Sequence, residues 1–571
     1  MDKNFIIAIV LTTIMILIFT SPQYHERFGT ERPAAPSVES TQTADPVERP
    51  RTTASSTITS GAQDTNITEV SDKTPPPAET VQVNTPSGEK DIILENEDII
   101  VTISTRGAVI TSASMKNYKG GDEDSLAQLV KDGESWNSGF LSDGDFVLNF
   151  TDLIFHEQSV SKNSVFLYAE LSEKRTLTLA YTLDDTGYMV HASSSVDGPW
   201  DNPTLRFAWN GPVNHTEKEF KMIKVWPLSL MMRDTSKAFN KVVYLGQGDR
   251  LTVNGSGKED SERIYSDESS QKLDAAKHKS GGKDFFEGDL NWYAVRSKYF
   301  MTAAIPKDIK RWTAESSCFM TGTEKWYDFS ISKQVADGAT NLDIYIGPIS
   351  YDTLKDYNAN LTELMELSFR IFRPISISFL WLFKNIHRFI PNWGIVIIVF
   401  SIIIKLVLFP LSHKSFVSMR KMSELQPQIS ALREKHSTNP ANLHKATMDL
   451  YKQEGVNPFS GCLPMLLQMP VFLALYPVIG RSVELRQAMF IPHWIEDLSM
   501  PDQFYILPIA MGLSMFFQSK QTMKDPNQKA MVYIMPVLMV ILFANFSSGL
   551  TLYWFLFNVM TVAQQKFHIG T

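Results

Sequence analysis

Residues 395–411 read IVIIVFSIIIKLVLFPL, and inside that apolar run Lys405 carries a charge. A cation placed in hydrocarbon costs about 2.5–3.5 kcal/mol, so such a residue either serves a purpose or must escape to water. An ammonium with no acid beside it can do one kind of chemistry, the electrostatic capture of a carboxylate that arrives. Two explanations are open. Lys405 stands six residues before Leu411, about 9 Å at helical rise, and a lysine stem covers much of that distance to the interface. Alternatively, it faces a hydrated groove between helices.

Other polar residues lie in comparable apolar surroundings. Ser401 precedes Lys405 by one turn, Gln468 interrupts GCLPMLLQMPVFLALY, and Gln518 closes a further apolar run. Thr551, Trp554, Asn558, Thr561 and Gln565 recur at three- and four-residue steps, a stripe on one helical face. Taken singly, such residues join helices by hydrogen bonds. Taken together, with no acid in any of these runs, they favour a groove whose lining includes Lys405, Ser401, Gln468, Gln518, Trp554 and Asn558. The sequence offers no nucleophile motif, phosphate loop or metal-spaced His cluster, so neither an enzyme, a cofactor nor a metal is expected. Cys318 and Cys462 fall in different halves and suggest no disulfide framework.

The elements that must position these residues follow from composition. At 571 residues more than one unit is expected. The formal charge of −8 lies in the front part, because Lys and Arg outnumber Asp and Glu beyond Trp393. That asymmetry suggests two compartments rather than nucleic-acid binding. Residues 1–21 read as an uncleaved transmembrane anchor, and 22–90, rich in Pro, Ser, Thr and Glu, as a disordered linker. Residues 91–350 alternate apolar and polar residues as an all-β sandwich, with hairpin signals at Gly107 and at DDTG. Residues 351–391 predict an amphipathic helix in the membrane interface, carrying Leu361, Leu364, Ser368, Ile371, Ile375 and Phe379 on one face.

Five apolar spans are expected at about Trp393–Leu411, Pro458–Gly480, Phe504–Gln518, Ala530–Ala544 and Gly549–Gln564, making six with the anchor. Pro464, Pro470, Pro508 and Pro536 are expected to bend them. Between the first two spans, 412–456 predicts a charged helical hairpin with an apolar seam, and 567–571 is a short tail. Loops 412–457 and 519–529 are rich in Lys and loop 481–502 in acids, which puts the first two and both termini in the cytoplasm and the β domain outside. The fold class is thus a multidomain α-helical membrane protein with an appended all-β domain.

The runs NWGIVIIVFSIIIKLVLFPLSHKSFVSMRKMSELQPQISALREK, LYKQEGVNPFSGCLPMLLQMPVFLALY, SVELRQAMFIPHWIEDLSMPDQFYILPIAMGLSMFFQ and SSGLTLYWFLFNVMTVAQQ, in that order over 392–566, resemble the YidC membrane-protein insertases. The anchor and large outer β domain resemble the family's Gram-negative form. The resemblance implies an inner-membrane protein with a periplasmic β domain. It would insert and chaperone newly made membrane proteins, alone or beside the Sec translocon, without a cofactor. It also implies a five-span core whose groove opens to cytoplasm and lipid. There a cation, here Lys405, attracts the acidic tail of a substrate while the substrate's apolar segment slides past a contact at Trp554. Two departures stand out. The groove cation is usually arginine. A lysine, unlike an arginine, can lose its proton when stripped of water, so the groove is expected to stay wet or to attract less at high pH. Only KFHIGT follows Gln565, so ribosome docking through a long basic tail is not expected. A secondary transporter of an anionic solute is the runner-up, although no repeat relates the halves of 393–566. A membrane-anchored sugar-modifying β domain is the third reading.

Overall fold

The computed structural model describes residues 88–569 apart from 122–124, 131–134, 172–173, 211–249, 260–262, 265–269, 274–281, 322–323, 336–337, 358–360, 366, 369–370, 437–438, 457–462 and 523–528. The expected anchor and nearly all of the linker lie outside the described residues.

The β domain is antiparallel throughout its described pairings. Ile99–Ser104 turns through Gly107, at φ +75°, into Val109–Lys119, and Arg175–Leu183 returns through Gly187, at φ +94°, as Met189–Asp197. Both hairpins follow from the sequence, because glycine accepts the positive φ that these turns require. Ser164–Leu171 buries alternate residues, as a strand with one face on a core must. The long strand Gly282–Arg296 pairs with Trp312–Thr321 along its first half and with Phe300–Pro306 along its second, so the ladder folds over into facing layers. Trp136 packs edge-on to Trp209 and Phe329 and donates its indole N–H to the Thr302 hydroxyl across the layers.

Beyond Pro348 the chain is helical. The described helices are α1 (Tyr351–Asp356), α2 (Arg373–His387), α3 (Trp393–Val407), α4 (Phe409–Glu424), α5 (Gln426–Lys435), α6 (Pro440–Gln453), α7 (Leu463–Arg481), α8 (Ile506–Thr522), α9 (Lys529–Phe543) and α10 (Ser548–Ile569). Proline punctuates them. Pro374, Pro410, Pro427, Pro440 and Pro508 all sit in first turns, where a missing N–H leaves nothing unpaired. This corrects four expectations. Residues 351–391 form α1, a 3-10 turn at Leu361–Met365 and α2 rather than one amphipathic helix, and Ile371 is 77 % exposed between them. The segment expected as a helical hairpin at 412–456 has three helices, because Pro427 restarts it. The first core helix stops at Val407 rather than Leu411, ahead of Pro410. Pro508 sits in the first turn of α8 rather than bending it; Pro470, Pro477 and Pro536 lie within helices.

The expected apolar seam of 412–456 is present. Leu425, Ile429 and Val456 are buried together, with Met422, Leu450 and Tyr451 against them. Helices α9 and α10 are separate, joined through the short turn at Asn545–Ser547. Helix α10 runs on to Ile569, past the expected end at 566. Helix α3 has 15 residues, about 22 Å, and α10 has 22, about 33 Å, against a hydrocarbon core of about 30 Å. Among the described residues no helix is long and apolar enough to cross a membrane.

Helix α2 lies against α3 and α7. Its buried face is Ser376, Phe379, Leu380 and Phe383, with Phe383 stacked on Phe400 at 4.4 Å and the Ser376 hydroxyl donating to the Ala474 carbonyl at 3.0 Å. Its opposite face exposes Trp381 at 65 %. Lys384 pairs with Asp352 at 2.6 Å and Glu484 at 2.7 Å. Burial opposes the Lys384 charge, but the two carboxylates outweigh it and hold the ammonium above its usual pKa.

The β domain meets the segment between α7 and α8 through polar contacts. Tyr299 donates to the Ser499 hydroxyl at 2.7 Å, Gln487 to the Gly120 carbonyl at 2.9 Å, and the Arg486 guanidinium lies 5.1 Å from the centre of the Phe300 ring. Within the segment, Asp502 caps α8 by accepting from Leu507 N at 2.7 Å and also takes the Trp494 indole N–H at 3.0 Å. Burial pushes the Asp497 carboxyl above the usual carboxylate range, despite hydrogen bonds from Ser499.

Candidate functional site

Helix α3 begins at Asn392, whose side chain accepts from Ile395 N, and continues as an apolar rod that carries Lys405 in its last turn. The Lys405 side chain points inward. The residue is 7 % exposed, whereas the adjacent Leu406 and Val407 are 65 % and 66 % exposed. Its ammonium donates to the Thr561 hydroxyl at 2.6 Å and lies 4.1 Å from the centre of the Phe557 ring. Thr561 in turn donates to the Phe557 carbonyl at 2.7 Å. Among the described residues no carboxylate forms an ion pair with Lys405. The reach towards the interface allowed by the sequence is therefore not taken. Both of its partners are neutral.

The other candidates fall into three groups. Asn558 is buried and its amide donates to the Ser514 hydroxyl of α8 at 3.3 Å. Gln468 is buried on α7 and donates to the Tyr553 hydroxyl at 2.8 Å, leaving its own carbonyl oxygen without a hydrogen bond. Ser401 is buried one turn before Lys405, but its hydroxyl is turned back onto the Ile397 carbonyl of its own helix at 2.6 Å. Gln518 is half-buried near the end of α8. Trp554 departs from the expected polar stripe. It packs edge-on to Phe472 and tilted to Phe543, at 5.2 Å from each, because an indole has far more apolar area than one N–H can offset.

The sequence reading passed over Phe557, Tyr553, Ser514, Ser412 and Gln564. Asn558, Thr561 and Gln564, at three-residue steps on α10, reach three different helices: Ser514 of α8, Lys405 of α3, and Ser412 of α4 at 3.4 Å. Spacing could have shown the ladder on α10, but nothing local in the sequence shows its partners. An aromatic residue such as Phe557 reads as ordinary core.

The far end of the bundle is apolar and close-packed. Gly394 lies under the Phe490 ring so closely that a Cβ would fall 2.0 Å from a ring carbon. Gly549 sits where a Cβ would meet Ile479, Ile397 and the Leu498 carbonyl at 2.9–3.1 Å. Backbone bonds from Gly549 N to Leu498 O and from Ser548 N to Met500 O tie α10 to the segment between α7 and α8. The bundle thus has a tight apolar end and an end where buried polar groups and one cation meet. Among the described residues no group of His, Cys, Asp and Glu is placed to hold a metal.

Both parts of the chain have known relatives. Residues 91–382 match the family described as the YidC periplasmic domain, and 385–570 match the 60Kd inner membrane protein family. The chain is 32 % identical over 484 residues to the membrane protein insertase YidC of Francisella philomiragia, covering 82 % of each chain. It is 30 % identical over 525 residues to that of Chlorobaculum tepidum, covering 85 % of this chain and 82 % of the relative. It is 40 % identical over 289 residues to that of Coxiella burnetii, covering 48 % of this chain and 50 % of the relative.

Proposed function

The chain belongs to the YidC family of membrane protein insertases, and from that premise we propose that it inserts newly made proteins into the inner membrane and helps them fold. The β domain would then lie in the periplasm, α4–α6 in the cytoplasm together with both termini, and α3 and α7–α10 would form a five-span core. The observation that carries the mechanism is the inward-pointing Lys405 with neutral partners only, at the polar end of a bundle whose other end is closed by apolar contacts.

The mechanism needs no bond to be made or broken. An acidic tail of a nascent protein enters from the cytoplasm, and its carboxylate replaces neutral groups around the Lys405 ammonium. One charge pair at about 4 Å, in an effective dielectric near 20, contributes about 4 kcal/mol. A hydrogen bond from the ammonium to a hydroxyl contributes about 1.5–3 kcal/mol. The contact with the Phe557 ring adds about 0.5–2 kcal/mol, so the two states are nearly balanced and a tail can be both held and released. Ser401, Gln468, Gln518 and Asn558 supply polar lining, and the Trp554, Phe472 and Phe543 rings supply an apolar surface for the segment that follows.

An α3 of only about 22 Å suits this work, because it would thin the bilayer beside Lys405 and lower the barrier to a polar tail. Exposed Ile509, Leu513 and Phe517 on α8, and Ile534 and Val537 on α9, would face the acyl chains. Work beside the Sec translocon belongs to this same proposal. The transporter reading gains nothing from the family match.

Reconstitution tests the reading. Liposomes containing the purified protein are expected to insert an acidic-tailed single-span protein, measured as protease-protected substrate, well above protein-free liposomes, without nucleotide and without uptake of small anions. Uptake of anions with no gain in protected substrate would sink it.

A further inference from the structure

Lys405 is held by Thr561 and Phe557, whose pairing with it no local sequence signal marks. The Thr561 hydroxyl donates its proton to the Phe557 carbonyl at 2.7 Å, so its lone pairs are left to face the ammonium, which it meets at 2.6 Å. The Phe557 ring, one turn earlier on the same face of α10, presents its negative π cloud 4.1 Å from the same nitrogen. Thr561 is 2 % exposed, while Phe557 is only partly buried. The seat is fixed from both sides along α10 by the bonds of Asn558 to Ser514 and of Gln564 to Ser412.

We propose that Thr561 and Phe557 are positioning residues for insertion: they form a neutral seat that keeps the Lys405 ammonium inside the groove, where an incoming carboxylate can displace them, instead of letting it extend to the headgroups. The proposal rests on the reading of Lys405 as the receiver of acidic tails. A lysine has a long flexible stem and a point charge, so its reach alone does not fix where the charge waits. The seat supplies that fixity. It is also selective by strength, because a hydroxyl and a ring yield to a carboxylate but not to a neutral amide.

The test uses the full-length protein in liposomes and two versions of one single-span substrate, with the acidic tail intact or with its Asp and Glu changed to Asn and Gln. Thr561→Val keeps the shape and removes the hydroxyl. It is expected to lower insertion of the acidic-tailed substrate roughly tenfold, chiefly by raising the half-saturating substrate concentration. Insertion of the neutral-tailed substrate should stay at the wild-type level, which also shows that the variant is folded. Thr561→Ser should restore the loss, and Phe557→Leu should show the same selective loss to a smaller degree. Equal losses for both substrates, or no loss for either, would overturn the seat. Lys405→Ala run in parallel separates the two ideas. If it too leaves the acidic tail unaffected, the reading of Lys405 has failed; if it loses insertion while Thr561→Val does not, only the seat has failed.

Discussion

Lys405→Glu is expected to abolish insertion of an acidic-tailed single-span protein into proteoliposomes, Lys405→Ala to reduce it severely, and Lys405→Arg to retain most of it. The reversal turns an attraction of about 4 kcal/mol at 4 Å into a repulsion of similar size. Even a quarter of that difference exceeds the 1.4 kcal/mol that corresponds to a tenfold effect. Alanine removes the attraction without adding repulsion. Arginine keeps the charge, and its guanidinium packs well on an aromatic face such as that of Phe557, which already lies 4.1 Å from the lysine nitrogen. The glutamate variant should still fold, because the Thr561 hydroxyl can turn to donate to a carboxylate. Protease protection of the substrate is the readout. Equal insertion by all four proteins would leave Lys405 as a tolerated side chain only.

Gly549→Leu is the second large effect expected, and it acts at the opposite end. A Cβ at Gly549 would stand 2.9 Å from Ile479, 3.0 Å from Ile397 and 3.1 Å from the Leu498 carbonyl, in α7, in α3 and in the segment between α7 and α8. Alanine can be met by shifts of a few tenths of an ångström. Leucine cannot, and overfilling a packed contact of this kind costs about 1–3 kcal/mol. The expected series in thermal unfolding of the detergent-solubilised protein is wild type close to Gly549→Ala and both well above Gly549→Leu, with insertion lost in the last. A leucine variant as stable and active as wild type would show that the outer end is not the tight closure described.

The sequence made much of this visible, and the limits are physical. Hairpins at Gly107 and DDTG were legible because turn chemistry is local, and so were the seam of Leu425 and Ile429 and the turn separating α9 from α10. The place of Pro508 was not legible because a proline interrupts or initiates a helix depending on its place in the first turn, and that place is set by packing. The polar face of α10 was legible as spacing. That Thr561 meets Lys405, 156 residues away, was not, because only the assembled bundle brings them together. Trp554 misled because amphipathic residues fit either a polar stripe or an aromatic cluster. Phe557 was passed over because a ring facing a cation has no sequence signature distinct from core.

The most direct measurement is an exchange of charges between protein and substrate. Wild type and Lys405→Glu are each reconstituted and offered the same single-span protein with either an acidic or a lysine-bearing tail. The account predicts that wild type inserts the acidic tail and disfavours the basic one, and that Lys405→Glu reverses this preference. If the preference follows the substrate alone and is the same for both proteins, Lys405 does not receive the tail and the electrostatic account is wrong.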